Sequence, residues 1–278
     1  MGAGGQTGPR WHDRESPKQQ GRVQPLGMAD ACRLGVLGVM VLLGLLSAPA
    51  LAADGVEGRV QEFFLGDGAA PQQQRQVQLG TGLEWTRQEG DTRFELPVFA
   101  EYGLSDRVQV EASVALTTPE DPRGLDSAEA GVGWALINDG RRGFTLSVGM
   151  DLLATRDAVD DRFRPGFEPY LLAYQDVGPL GFNLQLKAEE LPGVRGLGGE
   201  LHPDFAAGAV LELGPLRPTV EAAWRDEDGT STVLLAPGLL AHPAKSLELG
   251  VAVPWRLHAD GARDVGVMGM LIWQGGGA

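Results

Sequence analysis

The sequence predicts an all-β protein: an antiparallel transmembrane β-barrel of about 12 strands (about 10 to 14) following a cleaved signal peptide. Three observations carry this reading. The first is a hydrophobic alternation that starts near Val77 and repeats almost to the C-terminus. Val77, Leu79, Thr81, Leu83 and Trp85 are apolar or neutral at every second position, with Gln76, Gln78, Glu84 and Thr86 between them. The dyad returns in Phe94, Leu96, Val98, Ala100 and Tyr102, where Arg93, Glu95 and Glu101 take the opposite face. Successive strand side chains point to opposite faces, so each segment has one greasy and one charged side. The second observation is a short apolar run ahead of the alternation. The third is that compact turns and longer polar links alternate between the segments.

The apolar run is Leu34 to Leu46, followed by Ser-Ala-Pro-Ala-Leu-Ala-Ala. It has the length of a signal-peptide core, and Ala50-Leu51-Ala52 places cleavage before Ala53. An anchored N-terminal helix is the alternative, but the run is too short and ends in small residues. Met28 opens a normal leader with Arg33 before the apolar core. Residues 1–27, polar and rich in Gly, Gln and Arg, read as disordered or as a start placed too early. The expected organisation is therefore a signal peptide over 28–52, a periplasmic connector or short plug over 53–73, and the barrel over 74–274. Within the connector, Val60, Phe63 and Phe64 have the spacing of one amphipathic helical turn, broken by Gly66-Asp67-Gly68.

Cys32 is the single cysteine and lies in the leader ahead of its apolar core, so it is not a lipoprotein cysteine. The mature chain then has no disulfide and no thiolate metal site. The net charge is −14; without the leader 18 basic and 34 acidic residues remain, about −16. Such a balance argues against a nucleic-acid partner, because phosphate binding needs a basic footprint.

Twelve strands are expected at 74–87, 92–103, 106–117, 127–137, 143–153, 166–176, 180–189, 205–213, 217–226, 231–241, 246–256 and 264–274. Their lengths suit tilted strands crossing a bilayer. The sixth, tenth and twelfth are apolar on both faces, which leaves their phase open. Compact turns are expected at Gly103–Asp106, Asn138–Arg142, Val177–Pro179, Gly214–Pro218 and His242–Ser246. Longer links fall at Thr118–Ser127, Thr155–Pro165, Glu190–Asp204, Asp226–Thr230 and Leu257–Asp264. Bacterial barrels have short periplasmic turns and longer outer loops, which puts both termini in the periplasm. Aromatics gather near strand ends (Trp85, Tyr102, Trp134, Phe144, Phe182, Trp224, Trp255 and Trp273), as interface girdles do. A secreted β-sandwich also alternates, but it would have shorter strands and a larger branched core.

With the apolar phase outward, the lumen-lining residues are Glu84, Arg93, Glu95, Glu101, Glu111, Glu129, Asp151, Glu168, Lys187, Glu189, Glu212, Glu221, Arg225, Glu248 and Arg256. Gly80, Gly82, Gly131, Gly133, Gly149, Gly208 and Gly250 share this phase and add space. An excess of carboxylate would favour cations in a water-filled path. The same charges also suit a structural ion-pair network that keeps a closed barrel together. No cofactor, metal or catalytic set is expected. His202, His242 and His258 have no metal-ligand partner at close spacing, and Gly193–Gly199 lacks the helix a phosphate loop needs. His202 and His258 fall in expected outer loops beside Asp160 and Asp161, so a loop-sited hydrolase is a third reading. The acidic loop Asp157–Asp161 has the chemistry to bind divalent cations together with lipopolysaccharide.

The unit Glu101-Tyr102-Gly103-Leu104-Ser105-Asp106-Arg107-Val108-Gln109-Val110 resembles a hairpin of the outer-membrane family of transporters of the MetA-pathway of phenol degradation. Leu235–Leu239 and Ser246–Pro254 are similar to that family's C-terminal hairpin. The resemblance spans about 75–273 and implies a passive transporter of small molecules, with no catalytic residues to carry over. The partners it implies are outer-membrane lipid and lipopolysaccharide, the barrel-assembly machinery and a small-molecule solute. The last aromatic, Trp273, is followed by Gln-Gly-Gly-Gly-Ala and does not end the chain. The principal reading is thus an outer-membrane channel. The alternative is a closed structural or adhesive barrel acting through its outer loops.

Overall fold

The computed structural model describes residues 62–88, 91–118, 124–156, 162–191, 200–227, 230–259 and 261–276. Residues 1–27, the expected signal peptide, Val60 and the segments Asp157–Asp161 and Gly193–Gly199 lie outside the described residues. The described chain runs through β1 (Gln76–Gln88), β2 (Asp91–Ser105), β3 (Val108–Thr118), β4 (Leu125–Asp139), β5 (Phe144–Arg156), β6 (Phe163–Val177) and β7 (Leu180–Leu191). It continues through β8 (Glu200–Leu211), β9 (Leu216–Glu227), β10 (Thr230–Ala244), β11 (Leu247–Ala252), β12 (Trp255–His258) and β13 (Arg263–Gly276).

From β1 to β11 each strand pairs antiparallel with the next, β11 and β12 both lie between β10 and β13, and β1 pairs with β13 from Gln76↔Gly276 to Arg87↔Val265. That last ladder closes the sheet and abolishes its edges. β11 and β12 are two halves of one spanning strand. β10 meets them in a single register, Gly238↔Ala252 and Leu235↔Trp255, as does β13, Ala252↔Met268 and Trp255↔Val265. The break falls at Val253-Pro254, because Pro254 has no N–H to give to the ladder. Val253 N still donates to Pro237 O (3.0 Å) and Gly266 N to Pro254 O (2.9 Å), so the wall stays continuous. The barrel therefore has 12 spanning strands.

Several strand limits differ from expectation. β6 begins at Phe163 and not at 166, β8 at Glu200 and not at 205, and the link expected at Asp226–Thr230 shrinks to residues 228–229. The alternation is interrupted at Arg164-Pro165 and at His202-Pro203-Asp204. Neighbouring strands extend pairing through both places, to Arg156↔Phe163 and Leu191↔Glu200. A proline costs one ladder bond, and a polar inward side chain costs nothing where the interior is wet. As a result His202 lies on β8 and His258 on β12, not in outer loops.

The outward phase is apolar all round. Leu83, Val98, Trp134, Leu152, Leu184, Val220 and Leu271 are exposed, with Trp134 at 54% and Leu152 at 61%. A soluble monomer rarely shows a continuous apolar belt of that size. Tyr102, Trp134, Phe182 and Trp273 mark one rim of the belt, while Trp85 pairs with Phe94 and Trp224 with Phe205 toward the other. A closed hydrogen-bonded wall resists detergent until it is boiled. Unboiled folded protein is therefore expected to run faster than boiled protein on a detergent gel; equal mobility would sink the closed barrel.

The N-terminal segment turns into the barrel. Phe63, Phe64, Leu65 and Ala69 are buried against Tyr170, Leu172, Tyr174, Ala206, Val210, Ala223, Leu234, Ala236, Leu240 and Ala252. The expected helical turn at Phe63-Phe64 does not form. Phe63 N bonds to Gly66 O (3.0 Å), and Glu62 and Asp67 form an isolated antiparallel bridge. A single turn of helix cannot meet its nucleation cost when the barrel wall offers better partners. Arg75, with φ of 64°, makes the corner at which the segment leaves the interior and enters β1.

Candidate functional site

The seat of this inner plug is built from strand residues distant in sequence. Glu221 on β9 accepts the backbone N–H groups of Phe64 (3.0 Å) and Leu65 (2.7 Å). Gln185 accepts Asp67 N (2.7 Å), and Asn183 Nδ2 donates to Asp67 O (3.0 Å). Ser147 Oγ donates to Ala69 O (2.7 Å). Across the lumen Gln72 N donates to Gln109 Oε1 (2.9 Å), and Gln72 Nε2 donates to Gln78 Oε1 (3.0 Å) and Glu101 Oε2 (2.8 Å). The plug's backbone polar groups thus find fixed partners, as buried groups must. Glycines on the inner wall make room for its rings. A Cβ on Gly250 would stand 2.7 Å from Phe64 Cζ, and one on Gly208 3.0 Å from Phe63 Cδ1.

Above the plug, on the side of the longer links, lies a cavity of about 530 Å³ floored by Glu62 through Asp67. Ten of the fifteen residues read as lumen-lining are on its wall: Glu84, Glu95, Glu101, Glu111, Glu129, Asp151, Glu168, Lys187, Glu189 and Arg225. Arg256 sits behind it, with Nη2 2.6 Å from Glu84 Oε1, and Arg93 reaches Glu95 (3.5 Å) and Asp126 (3.2 Å). The other three are elsewhere. Glu221 is under the plug, Glu212 pairs with Arg217 (2.6 Å), and Glu248 meets His242 Nε2 (2.6 Å) near the opposite rim.

The cavity wall is electrostatically divided. Lys187 bridges Asp67 and Glu168, both at 2.9 Å, and Arg225 holds Asp204 at 2.9 Å. Facing them, Glu101 on β2, Glu111 on β3 and Glu129 on β4 are met by neutral donors. Tyr170 Oη donates to Glu111 Oε1 (2.9 Å), Ser113 Oγ to Glu129 Oε2 (3.1 Å) and Gln72 to Glu101. The sequence reading missed Glu62, Asp67, Tyr170, His202 and Asp204 on this wall. Asp67 and Glu62 belong to a segment with no periodicity. Tyr170 falls on a strand apolar on both faces, and Asp204 fell in the expected link Glu190–Asp204, which β8 takes over from Glu200.

Thr232 Oγ1 lies 3.3 Å from His258 Nδ1, and His258 Nε2 lies 2.7 Å from Asp264 Oδ2. The order resembles a nucleophile relay, but Thr232 is 2% exposed, so its hydroxyl has no access to substrate. The chain of bonds clasps β10, β12 and β13 together.

No family model matches the chain, and no curated protein matches it. Solved structures do match by fold. The NanC porin superimposes with a TM-score of 0.53 at 9% identity, over 70% of this chain and 98% of that one. The KdgM porin in complex with disordered oligogalacturonate gives 0.52 at 9%, over 70% and 98%. An outer membrane channel from Pseudomonas putida F1 gives 0.56 at 10%, over 74% and 98%. This is the outer-membrane channel fold. In outer-membrane channels of this fold, function resides in lumen and loops, while the wall serves the bilayer.

Proposed function

We propose that the chain is an outer-membrane channel for small molecules, exported by its leader, with the fifteen inward residues lining the solute path. The observation that carries this reading is the cavity of about 530 Å³ enclosed by a closed 12-stranded wall and floored by a separate segment. The Glu101–Val110 hairpin, in which Tyr102 pairs with Val110 around a bulge at Gly103/Ser105, supports kinship with the MetA-pathway transporter family. Orientation follows from the connections: the short turns and the plug face the periplasm, the longer links the outside. Lipid and lipopolysaccharide then surround the wall, and the barrel-assembly machinery inserts it. Carboxylates outnumber cationic groups on the cavity wall, which favours cations and repels acidic solutes such as the oligogalacturonate bound to KdgM.

One observation favours a second reading. Apolar packing of Phe63, Phe64 and Leu65 against the wall fills much of the lumen, as a non-transporting barrel would require. Planar-bilayer recording separates the two. A channel gives discrete conductance steps and, under a KCl gradient, a reversal potential on the cation side. An anion-side reversal would sink the acidic-path reading. Silence from both the intact chain and a chain lacking the plug would leave the closed barrel.

A further inference from the structure

We propose that the inner plug is held down by a proton: Glu62 seats against Glu101 on β2 while the two carboxyls share one proton, and the plug is released as rising pH removes it. Glu62 belongs to the floor of the cavity and Glu101 to its wall. Two glutamines tie them together. Gln78 Nε2 donates to Glu62 Oε1 (3.1 Å), and Gln72 Nε2 donates to Glu101 Oε2 (2.8 Å) and to Gln78 Oε1 (3.0 Å). The carboxyls of Glu62 and Glu101 also hydrogen-bond to each other. Ionised carboxylates only accept, so that contact needs a proton on one of the two.

No cation relieves this contact: among the described residues, no ion pair involves Glu62 or Glu101. Lys187 is committed to Asp67 and Glu168, Arg225 to Asp204 and Arg256 to Glu84. The charged groups nearest Glu62 are acids, namely Asp67 across the plug's own bridge, Glu101 on β2 and Glu111 on β3, while β1 presents the neutral Gln78. Glu111 in turn shares a hydrogen bond with Asp151 on β5. Those two meet over the bare backbone of Gly131, where a Cβ would stand 2.9 Å from Glu111 Oε1. Burial first, and then these acids, push the Glu62 carboxyl well above the usual carboxylate range. Released into water, Glu62 regains an ordinary pKa of about 4.3. The plug's hold is therefore complete below that value and weakens as pH climbs from it toward the raised one. Glu221 beneath the plug works the other way, because acid removes the charge that accepts the Phe64 and Leu65 N–H groups.

This gate deepens the channel reading and rests on it for its consequence, so the test follows plug and conduction separately. Hydrogen exchange of the Phe64 and Leu65 amides is measured in the folded full-length barrel in detergent, from about pH 5 to about pH 9, for the natural chain and for Glu62→Gln. Glutamine keeps the bond from Gln78 and donates an amide N–H to Glu101 with no proton to lose. Intrinsic exchange and the titration of Glu221 are common to both chains and cancel in the ratio. The natural chain is expected to match the variant at the acid end and to exchange at least about tenfold faster at the alkaline end, the factor that one unit of displaced titration supplies. Glu101→Gln, which removes the facing charge, gives the same readout where Glu62→Gln lacks the folded gel mobility. A ratio that stays flat with pH, or a natural chain that is the slower at the alkaline end, would overturn the gate. An alkaline rise in exchange without conductance keeps the gate and sinks the channel; conductance without that rise does the reverse.

Discussion

Deleting residues 62–73 is expected to raise single-channel conductance several-fold while the barrel keeps its folded gel mobility. The wall does not need the plug for its own hydrogen bonds: the ladders from β1 to β13 are complete between strands, and the plug docks mainly on inward side chains. What the deletion removes is the floor of the cavity and the apolar packing of Phe63, Phe64 and Leu65. A finer variant is Glu221→Gln. It keeps the shape of the side chain but removes the charge that accepts two backbone N–H groups at 3.0 and 2.7 Å. Hydrogen bonds to a charged acceptor contribute about 1.5–3 kcal/mol each, against about 1 for neutral ones. Losing about 1–2 kcal/mol of seating shifts the closed-to-open ratio roughly tenfold. Brief openings of the natural channel should then become frequent. A deletion variant that folds and conducts no better than the natural chain would show that the plug is not the barrier.

The plug also explains which parts of the molecule were legible in the sequence. The charged inner face of β1 to β5 and β7 was plain, because alternation against an apolar outer face has only one solution in a barrel. The strands expected at 166–176, 231–241 and 264–274 had no clear phase, being apolar on both sides. Their inner residues (Tyr170, Leu172 and Tyr174; Leu234, Ala236 and Leu240; Met268 and Met270) pack on or around the buried plug cluster. Two-faced strands thus signalled an occupied lumen, a cue that lies in the wall and not in the segment that occupies it. The segment itself was opaque for a physical reason. Phe64 and Glu221 are 157 residues apart, and no local propensity encodes a contact of that range. The meeting of Asp151 and Glu111 was half-visible: both acids and Gly131 fall in the inward phase, but their convergence depends on the register among β3, β4 and β5.

Lys187→Met is expected to be the most destabilising single substitution in the cavity, with a second effect on selectivity. Lys187 Nζ lies 2.9 Å from both Glu168 and Asp67, and its side chain is 15% exposed. Methionine preserves most of the volume, so the loss is electrostatic. Glu168, also 15% exposed, is left without its partner, and breaking such a buried pair costs about 3–5 kcal/mol. Asp67 is 49% exposed and recovers water, so its share is small and the total falls toward the lower figure. The urea midpoint, read from the loss of the folded gel band, should fall accordingly. Glu168→Gln in the same chain should restore most of it, because the stranded charge is then gone; a double variant as unstable as the single would refute the pairing as the cause. In bilayers the single variant should also reverse further to the cation side, since the wall loses a positive charge that balances its carboxylates. Stability and selectivity therefore move in opposite directions at one residue, as expected where a single cation both anchors the plug and tempers an acidic wall.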